Sequence, residues 1–333
     1  MEWSSLVPVM VLLASPFGGP PAPLAHTYSI VARDPQTGEL GVAVQSHYFS
    51  VGPVVPWAES GVGAVATQSL VLVDYGPKGL DLMRAGLTAQ EALDSLVHAD
   101  PHNEGRQVAM VDAKGNVAVY TGPKCIPDAG NHKGTNYSCQ ANLMSNPNIW
   151  PAMSQAFETA QGDLTEKLMQ ALEAGEKAGG DIRGKQSAAI LVVKGQSSGK
   201  PWMDKVVDLR VEDSPEPLKE LRRLIKLRRA YNLEDAGDNF ISEKKFPEAM
   251  KAYEEAMKLA PDVVELQFWA ATSMYTNGRK EEALKLFRTV FSRESQWVDL
   301  VPRLAKVGLF PDDPKQIEEV QRQKPRSRMD RGR

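Results

Sequence analysis

Two cysteines and five histidines in 333 residues leave little material for a metal centre. Cys125 and Cys139 are too few and too far apart for zinc held by cysteine pairs, and no metal or other cofactor is expected. His98 and His102 have the four-residue spacing of a helical ligand pair, but Asp100 and Pro101 end the helix between them, while His47 and His132 stand alone. Charge of one sign is also lacking. A net charge of -3 builds no field that would gather nucleic acid, so no nucleic-acid partner is expected. No phosphate-binding loop occurs. Gly61-x-Gly63-x-x-Ala66 fits the dinucleotide fingerprint as a string, yet residues 67–73 continue as a strand where a helix would have to open.

The apolar run at residues 6–17 is too short for a stable membrane span. Breaker-rich residues 18–23 follow it, and residues 1–26 read as a signal peptide with an unusual start, Glu2 and no Lys or Arg. The expected destination is outside the cytoplasm, periplasmic or extracellular. In that setting Cys125 and Cys139, on either side of a Gly/Asn-rich loop, are a candidate disulfide. The other reading is two separate buried thiols.

A chain with 42% hydrophobic and 24% charged residues is globular by composition, and its length suits two domains. Residues 27–33 and 39–46 alternate around the turn formers Asp34-Pro35-Gln36-Thr37-Gly38, which predicts a hairpin. Residues 61–68 supply another strand. Residues 74–98 carry apolar side chains at three- and four-residue steps, divided at Gly86, with Thr88 and Glu91 as a capping box. Strands follow at 106–112, 116–121 and 136–144, a broken helical block at 151–177, and strands at 186–194 and 205–212. Strands and helices in separate runs predict an α+β fold over 27–212, a four-layer αββα sandwich. Residues 213–217 read as a linker. From 218 to 312 the pattern is helical and repeats: Gly237, Phe240, Ala249, Tyr253 and Pro261 have tetratricopeptide spacing. Met274, Ala283 and Phe287 follow one 34-residue period after Phe240, Ala249 and Tyr253. This small all-α domain is a candidate holder of a peptide or cell-wall partner, and residues 313–333 read as a basic disordered tail.

Two stretches are more polar than strand ends require. One joins Gln45-Ser46-His47 with Thr67-Gln68-Ser69; the other is residues 179–189, where Asp181 and Arg183 can pair and Gln186 and Ser187 enter a strand. Ser46, Thr67, Gln68, Gln186 and Ser187 are candidate substrate-binding residues. The ordered blocks Thr27-Tyr28-Ser29-Ile30-Val31-Ala32-Arg33-Asp34-Pro35, Gly41-Val42-Ala43-Val44, Val55-Pro56-Trp57-Ala58, Gly61-Val62-Gly63-Ala64-Val65-Ala66-Thr67-Gln68, Tyr75-Gly76-Pro77 and Gly179-Gly180-Asp181-x-Arg183-Gly184-x-Gln186-Ser187-Ala188-Ala189 carry a resemblance. Residues 27–211 resemble the family called domain of unknown function 1028, grouped with the N-terminal nucleophile (Ntn) hydrolases. The chain departs from that pattern at Asp128 and at Ala141, beside Asn142.

The resemblance implies the αββα sandwich and a catalytic set of Thr27, Asp181 and Arg183, with Asn142 added to the substrate-binding residues. In an Ntn hydrolase the first residue is the nucleophile and its own α-amine the base. An α-amine titrates near pH 7.7–8.0, so few histidines are needed. The expected substrate is a small amide or peptide, with self-association left open. The competing expectation is a non-catalytic binding or scaffold protein. His26, ahead of Thr27, separates the two: left in place, it covers the amine.

Overall fold

The structure, a computed structural model, describes residues 24–325. Residues 1–23 of the expected signal peptide at 1–26, and the tail from residue 326 onward, lie outside the described residues; the last three residues of that expected segment are described, Leu24–Ala25 as a short strand and His26 as buried. Two compact units divide between Arg222 and Arg223.

In the first unit every strand pairing is antiparallel, as expected of runs joined by short turns. One sheet has the order β1 (Leu24–Ala25), β5 (Gly63–Leu70), β6 (Arg106–Asp112), β7 (Val117–Thr121), with β4 (Pro56–Glu59) also on β5. The other runs β11 (Lys205–Val211), β10 (Ser187–Val193), β3 (Leu40–Ser46), β2 (Thr27–Arg33), β9 (Tyr137–Ala141), β8 (Gly130–Gly134). The β2–β3 turn is held by Asp34 Oδ1, which accepts the amides of Gln36 at 2.8 Å and Thr37 at 3.1 Å, and Gly38 takes φ 76° to close it.

Helices α1 (Tyr75–Arg84) and α2 (Ala89–Ala99) cover the first sheet, with Leu80, Met83 and Leu93 packed on Val65, Val108 and Met110. The Thr88–Glu91 capping box starts α2. Helices α3 (Ile149–Thr159) and α4 (Leu164–Lys177) lie on the second sheet. A Cβ at Gly41 would sit 2.6 Å from Leu168, so glycine there lets α4 approach β3. Val31, Val42, Val44, Ala64, Ala66, Ala109 and Val111 fill the space between the sheets. Alternation along β2 therefore decides the site: Val31 points between the sheets, with Ser29 and Thr27 in the same row, while Tyr28 points outward to Glu176 of α4.

The candidate disulfide is not formed. Both thiols are free and buried. Cys125 Sγ bonds the Arg106 carbonyl at 3.3 Å, whereas Cys139 alternates with Ser138 and Gln140, whose side chains meet between the sheets, and so faces the opposite, helical side of β9. Strand periodicity, rather than sequence spacing, separates the two sulfurs.

The unit boundary also lies further along the chain than the linker composition at 213–217 suggested. Helix α5 (Pro217–Ser242) begins there, and its Arg222 is held by Glu166 and Glu173 of α4, each at 2.7 Å. The second unit continues with α6 (Phe246–Leu259), α7 (Val264–Thr276), α8 (Lys280–Arg293), α9 (Val301–Ala305) and α10 (Pro314–Gln321). The last corrects the expected disorder from residue 313: Asp313 caps α10, and Val320 is fully buried in the core.

Ala249, Tyr253, Phe268, Ala283, Phe287 and Phe291 form the centre of that core. A Cβ at Gly237 would lie 2.4 Å from the Tyr253 ring, so only glycine fits against it. Ala249 is fully buried. Ala249→Glu is expected to cost about 3 kcal/mol or more by placing a carboxylate there, and to lower the melting of this unit by roughly 10 °C or more. Calorimetry of the full-length variant checks this; an unchanged thermogram would place position 249 at the surface.

Candidate active site

The row Thr27, Ser29, Val31 on β2 turns from polar to apolar along the strand, which leaves a buried polar cluster at one end of the inter-sheet core. Register brings Ser46 of β3 directly opposite Thr27, and Ser187 of β10 opposite Ser46. Thr27 Oγ1 lies 2.7 Å from the Ala25 carbonyl and 3.1 Å from Ser46 Oγ, so its single proton serves one of them at a time. Ser46 Oγ donates to the His26 carbonyl at 2.6 Å, and Arg183 Nη2 donates to the same oxygen at 2.6 Å. The carbonyl of the peptide bond that precedes Thr27 thus receives two donors, one of them charged. Donors so placed polarise a carbonyl and stabilise negative charge that develops on its oxygen.

Arg183 is oriented by Asp181. The Asp181 carboxylate accepts Arg183 Nε at 3.0 Å and Nη2 at 2.7 Å, as well as the backbone amides of residues 183 and 47. A forked pair of this kind fixes the guanidinium plane. Gly179 and Gly180 hold positive φ, 130° and 60°, and a Cβ at Gly179 would meet Ser145 Oγ at 2.3 Å. Glycine therefore sets the loop that delivers Asp181.

Amides complete the cluster. Gln68 Nε2 donates to the Thr27 carbonyl at 3.2 Å and to Gln107 Oε1 at 2.7 Å, while Gln68 Oε1 accepts Ser29 Oγ at 2.5 Å. Asn142 Nδ2 donates to Gln107 Oε1 at 2.9 Å. Its Oδ1 lies 2.7 Å from His26 Nδ1. Gln140 Nε2 reaches Ser29 Oγ at 2.6 Å. The residues just after two of these amides, Ser69 and Leu143, hold φ of 74° and 58°. Left-handed backbone at a leucine is rare, and both sit where the cluster needs a side chain aimed inward.

Of the residues singled out in the sequence, Thr27, Ser46, Gln68, Asn142, Asp181 and Arg183 come together. Three do not. Thr67 Oγ1 closes a turn on the Leu72 carbonyl at 3.0 Å; Gln186 reaches Asp213 at 3.2 Å; Ser187 Oγ ties the 46–51 loop through the Tyr48 carbonyl at 2.5 Å. His26, Ser29, Gln107 and Gln140 belong to the cluster and were not anticipated. Gln107 and Gln140 lie on strands whose apolar neighbours fixed the period, and a glutamine at a core-facing step was the available signal.

His26 is nearly inaccessible at 2% exposure. Burial lowers its pKa below the ordinary 6.5, Asn142 opposes that, and the Arg183 charge lowers it further. The unfolded chain therefore takes up a proton before the folded one does as pH falls. Stability is expected to be full above about pH 6.5 and to decline below it, down to the lowered folded pKa. Denaturation of chain that retains His26 and of His26→Gln, at pH 7.5, 6 and 5, checks this: the parent should lose ground to the variant on acidification.

Residues 27–221 match the model of the family of unknown function DUF1028, and the chain belongs to that family. Among solved structures it is similar to protein SPO2555 from Silicibacter pomeroyi, a DUF1028 protein, with 28% identity over 61% of this chain and 85% of that one at a TM-score of 0.55. No curated protein matches the chain.

Proposed function

We propose that this is an N-terminal-nucleophile amide hydrolase in which Thr27 attacks, its own α-amine is the base, and Ser46 and Arg183 stabilise the oxyanion. On this reading the two sheets and their flanking helices are the four-layer αββα sandwich of the Ntn hydrolases. The observation that carries it is the pair of donors, Ser46 Oγ and Arg183 Nη2, on a carbonyl oxygen beside the Thr27 hydroxyl.

With His26 attached, the Thr27 nitrogen is an amide and cannot act as base. Opening that bond is the first step. The Thr27 hydroxyl oxygen adds to the His26 carbonyl carbon, the C–N bond breaks, and the hydroxyl proton passes to the Thr27 nitrogen. Water then hydrolyses the resulting ester, which frees the His26 carboxylate and restores the hydroxyl beside a new α-amine. Turnover of an amide repeats the chemistry: the amine takes the hydroxyl proton, the ester forms, the leaving amine receives the proton, and water releases the acid. Gln68, on the Thr27 carbonyl, holds the nucleophile's backbone.

The scaffold reading draws support from a different observation. The helical unit, which we read as tetratricopeptide-like, has a cavity of about 480 Å³ lined by Glu234, Asp238, Trp269, Thr272 and Ser273 among others, suited to a cationic peptide side chain. There burial, with Asp238 next, raises the Glu234 pKa to about 7. Export from the cytoplasm belongs to the same proposal. Intact mass and the N-terminal residue of the protein recovered from its producing cell, followed by an amide-turnover assay, test the hydrolase: Thr27 first with turnover supports it, and turnover by chain that still carries His26 overturns it.

A further inference from the structure

The chain passes from one sheet to the other at His26. Residues 24 and 25 pair with Leu70 and Ser69 of β5 in the first sheet, and Thr27 opens β2 in the second. Ala25 and His26 therefore fill a slot between the sheets, with the Ala25 side chain in the inter-sheet apolar cluster and the His26 ring on Asn142. We propose that this slot, emptied when the His26–Thr27 bond opens, is the acyl-side substrate site, and that it takes an extended peptide with a small residue followed by an uncharged N–H donor side chain such as histidine at the scissile bond. The proposal rests on the hydrolase reading for the emptying of the slot; the preference for a donor rests on geometry alone.

That geometry begins at Gln107. Its Nε2 lies 3.2 Å from the Gly130 carbonyl and 2.9 Å from the Ala141 carbonyl, and since carbonyls only accept, the amide has one orientation. Its Oε1 must then face Asn142, at 2.9 Å from Asn142 Nδ2, which turns Asn142 Oδ1 toward the slot. With a side chain seated on it, as His26 is here, the floor of the slot is an acceptor with no exposure to water. A side chain that ends in a carboxylate would meet it lone pair to lone pair, and an apolar one would leave it unpaired, a penalty that discriminates strongly in a buried site. The far ring nitrogen, His26 Nε2, is buried and has no partner, so the floor reads the near nitrogen only. Along the backbone, loss of residues 24 and 25 uncovers the β5 positions at 69 and 70, and an arriving peptide can pair there as an added strand. Its carbonyl would inherit the Ser46 and Arg183 donors.

Two experiments test the slot. In the full chain held uncleaved by Thr27→Ala, His26→Gly leaves a ring-sized gap over Asn142. Imidazole at pH 8 should raise the melting temperature of that variant and leave the parent unchanged, while toluene, of similar size and without a donor, should not. Equal effects of imidazole and toluene, or none from either, would overturn the donor preference. In chain that begins at residue 27, carries Thr27→Ala and gives the circular dichroism of the full chain, a labelled Ala-Pro-Leu-Ala-His amide should bind tenfold or more tightly than the same peptide ending in Glu or Phe. The full chain carrying Thr27→Ala, which keeps the His26–Thr27 bond and so an occupied slot, should not bind it. Equal affinities for the three peptides sink the proposal even if amide turnover is found. Histidine-selective binding without turnover in chain that starts with Thr27 would keep the slot and dismiss the hydrolase.

Discussion

Thr27→Ala should lower amide turnover by chain that starts at residue 27 by roughly a thousandfold or more, because the substitution deletes the attacking oxygen. The same change should leave the fold nearly intact. Without residues 24–26 the Thr27 hydroxyl keeps Ser46 Oγ, at 3.1 Å, as its side-chain partner, and losing one such bond costs about 1 kcal/mol. One extra residue ahead of Thr27, for as long as it is retained, keeps the oxygen and converts the amine to an amide, so it removes only the base, worth roughly a hundredfold to ten-thousandfold. Thr27→Ser keeps both groups and should retain measurable turnover. The rate of the parent should rise with pH through about 7.7–8.0 as the amine loses its proton. Steady-state kinetics of the four proteins, with mass spectrometry of each N-terminus, decides the matter. Full activity of Thr27→Ala would put the chemistry elsewhere.

The same residues show how much the sequence could carry. Helices and most strands were legible because their apolar side chains recur at fixed steps: Leu164, Leu168 and Leu172 mark α4, and the Thr88–Glu91 box marks the start of α2. Strands β1, β4 and β8 were not: Leu24–Ala25 reads as part of the signal peptide. Pro56–Glu59 is short and Gly130–Gly134 is polar, so both are strands only because a neighbouring strand offers a ladder. The Asp181–Arg183 pair was legible because partners two residues apart in a glycine-rich turn have few other options. The amide chain from Gln68 through Gln107 to Asn142 was not, since it spans three strands and depends on register. Nor was the place of His26: its ring is defined by Asn142, 116 residues away in sequence. Thr67 has the right composition and the wrong face, Gln186 precedes its strand, and Ser187 shares the face of Ser46 but is used by the 46–51 loop, differences that a one-dimensional pattern of polar residues cannot carry.

Arg106→Leu should destabilise the first unit by about 3–5 kcal/mol, the cost of stranding a buried carboxylate. Arg106 Nε meets Asp100 Oδ2 at 2.8 Å with both side chains below 10% exposure, and Arg106 Nη1 also donates to the Leu70 carbonyl, at the end of β5 that receives residues 24 and 25. Burial by itself would raise the Asp100 pKa, but the bonds from Arg106 and from the His102 amide outweigh it and hold the carboxyl below its usual range. A depressed carboxyl contributes stability above its unfolded pKa, about 3.9, and gives it up as pH falls through the lower folded value. Without Arg106 burial is opposed only by the bonds from the His102 amide and Tyr75, so the Asp100 pKa should rise relative to the parent. The variant's deficit should therefore be largest near pH 7 and shrink as pH falls through the carboxylate range. Arg106→Leu combined with Asp100→Leu removes both charges and should recover much of the loss, although Tyr75, which donates to Asp100 Oδ2 at 3.2 Å, loses a partner. Urea denaturation of the parent, both single variants and the double at pH 7 and pH 4.5 gives the coupling. A coupling below about 0.5 kcal/mol at pH 7 would mean that the pair is solvated and does not anchor the β5 end of the site.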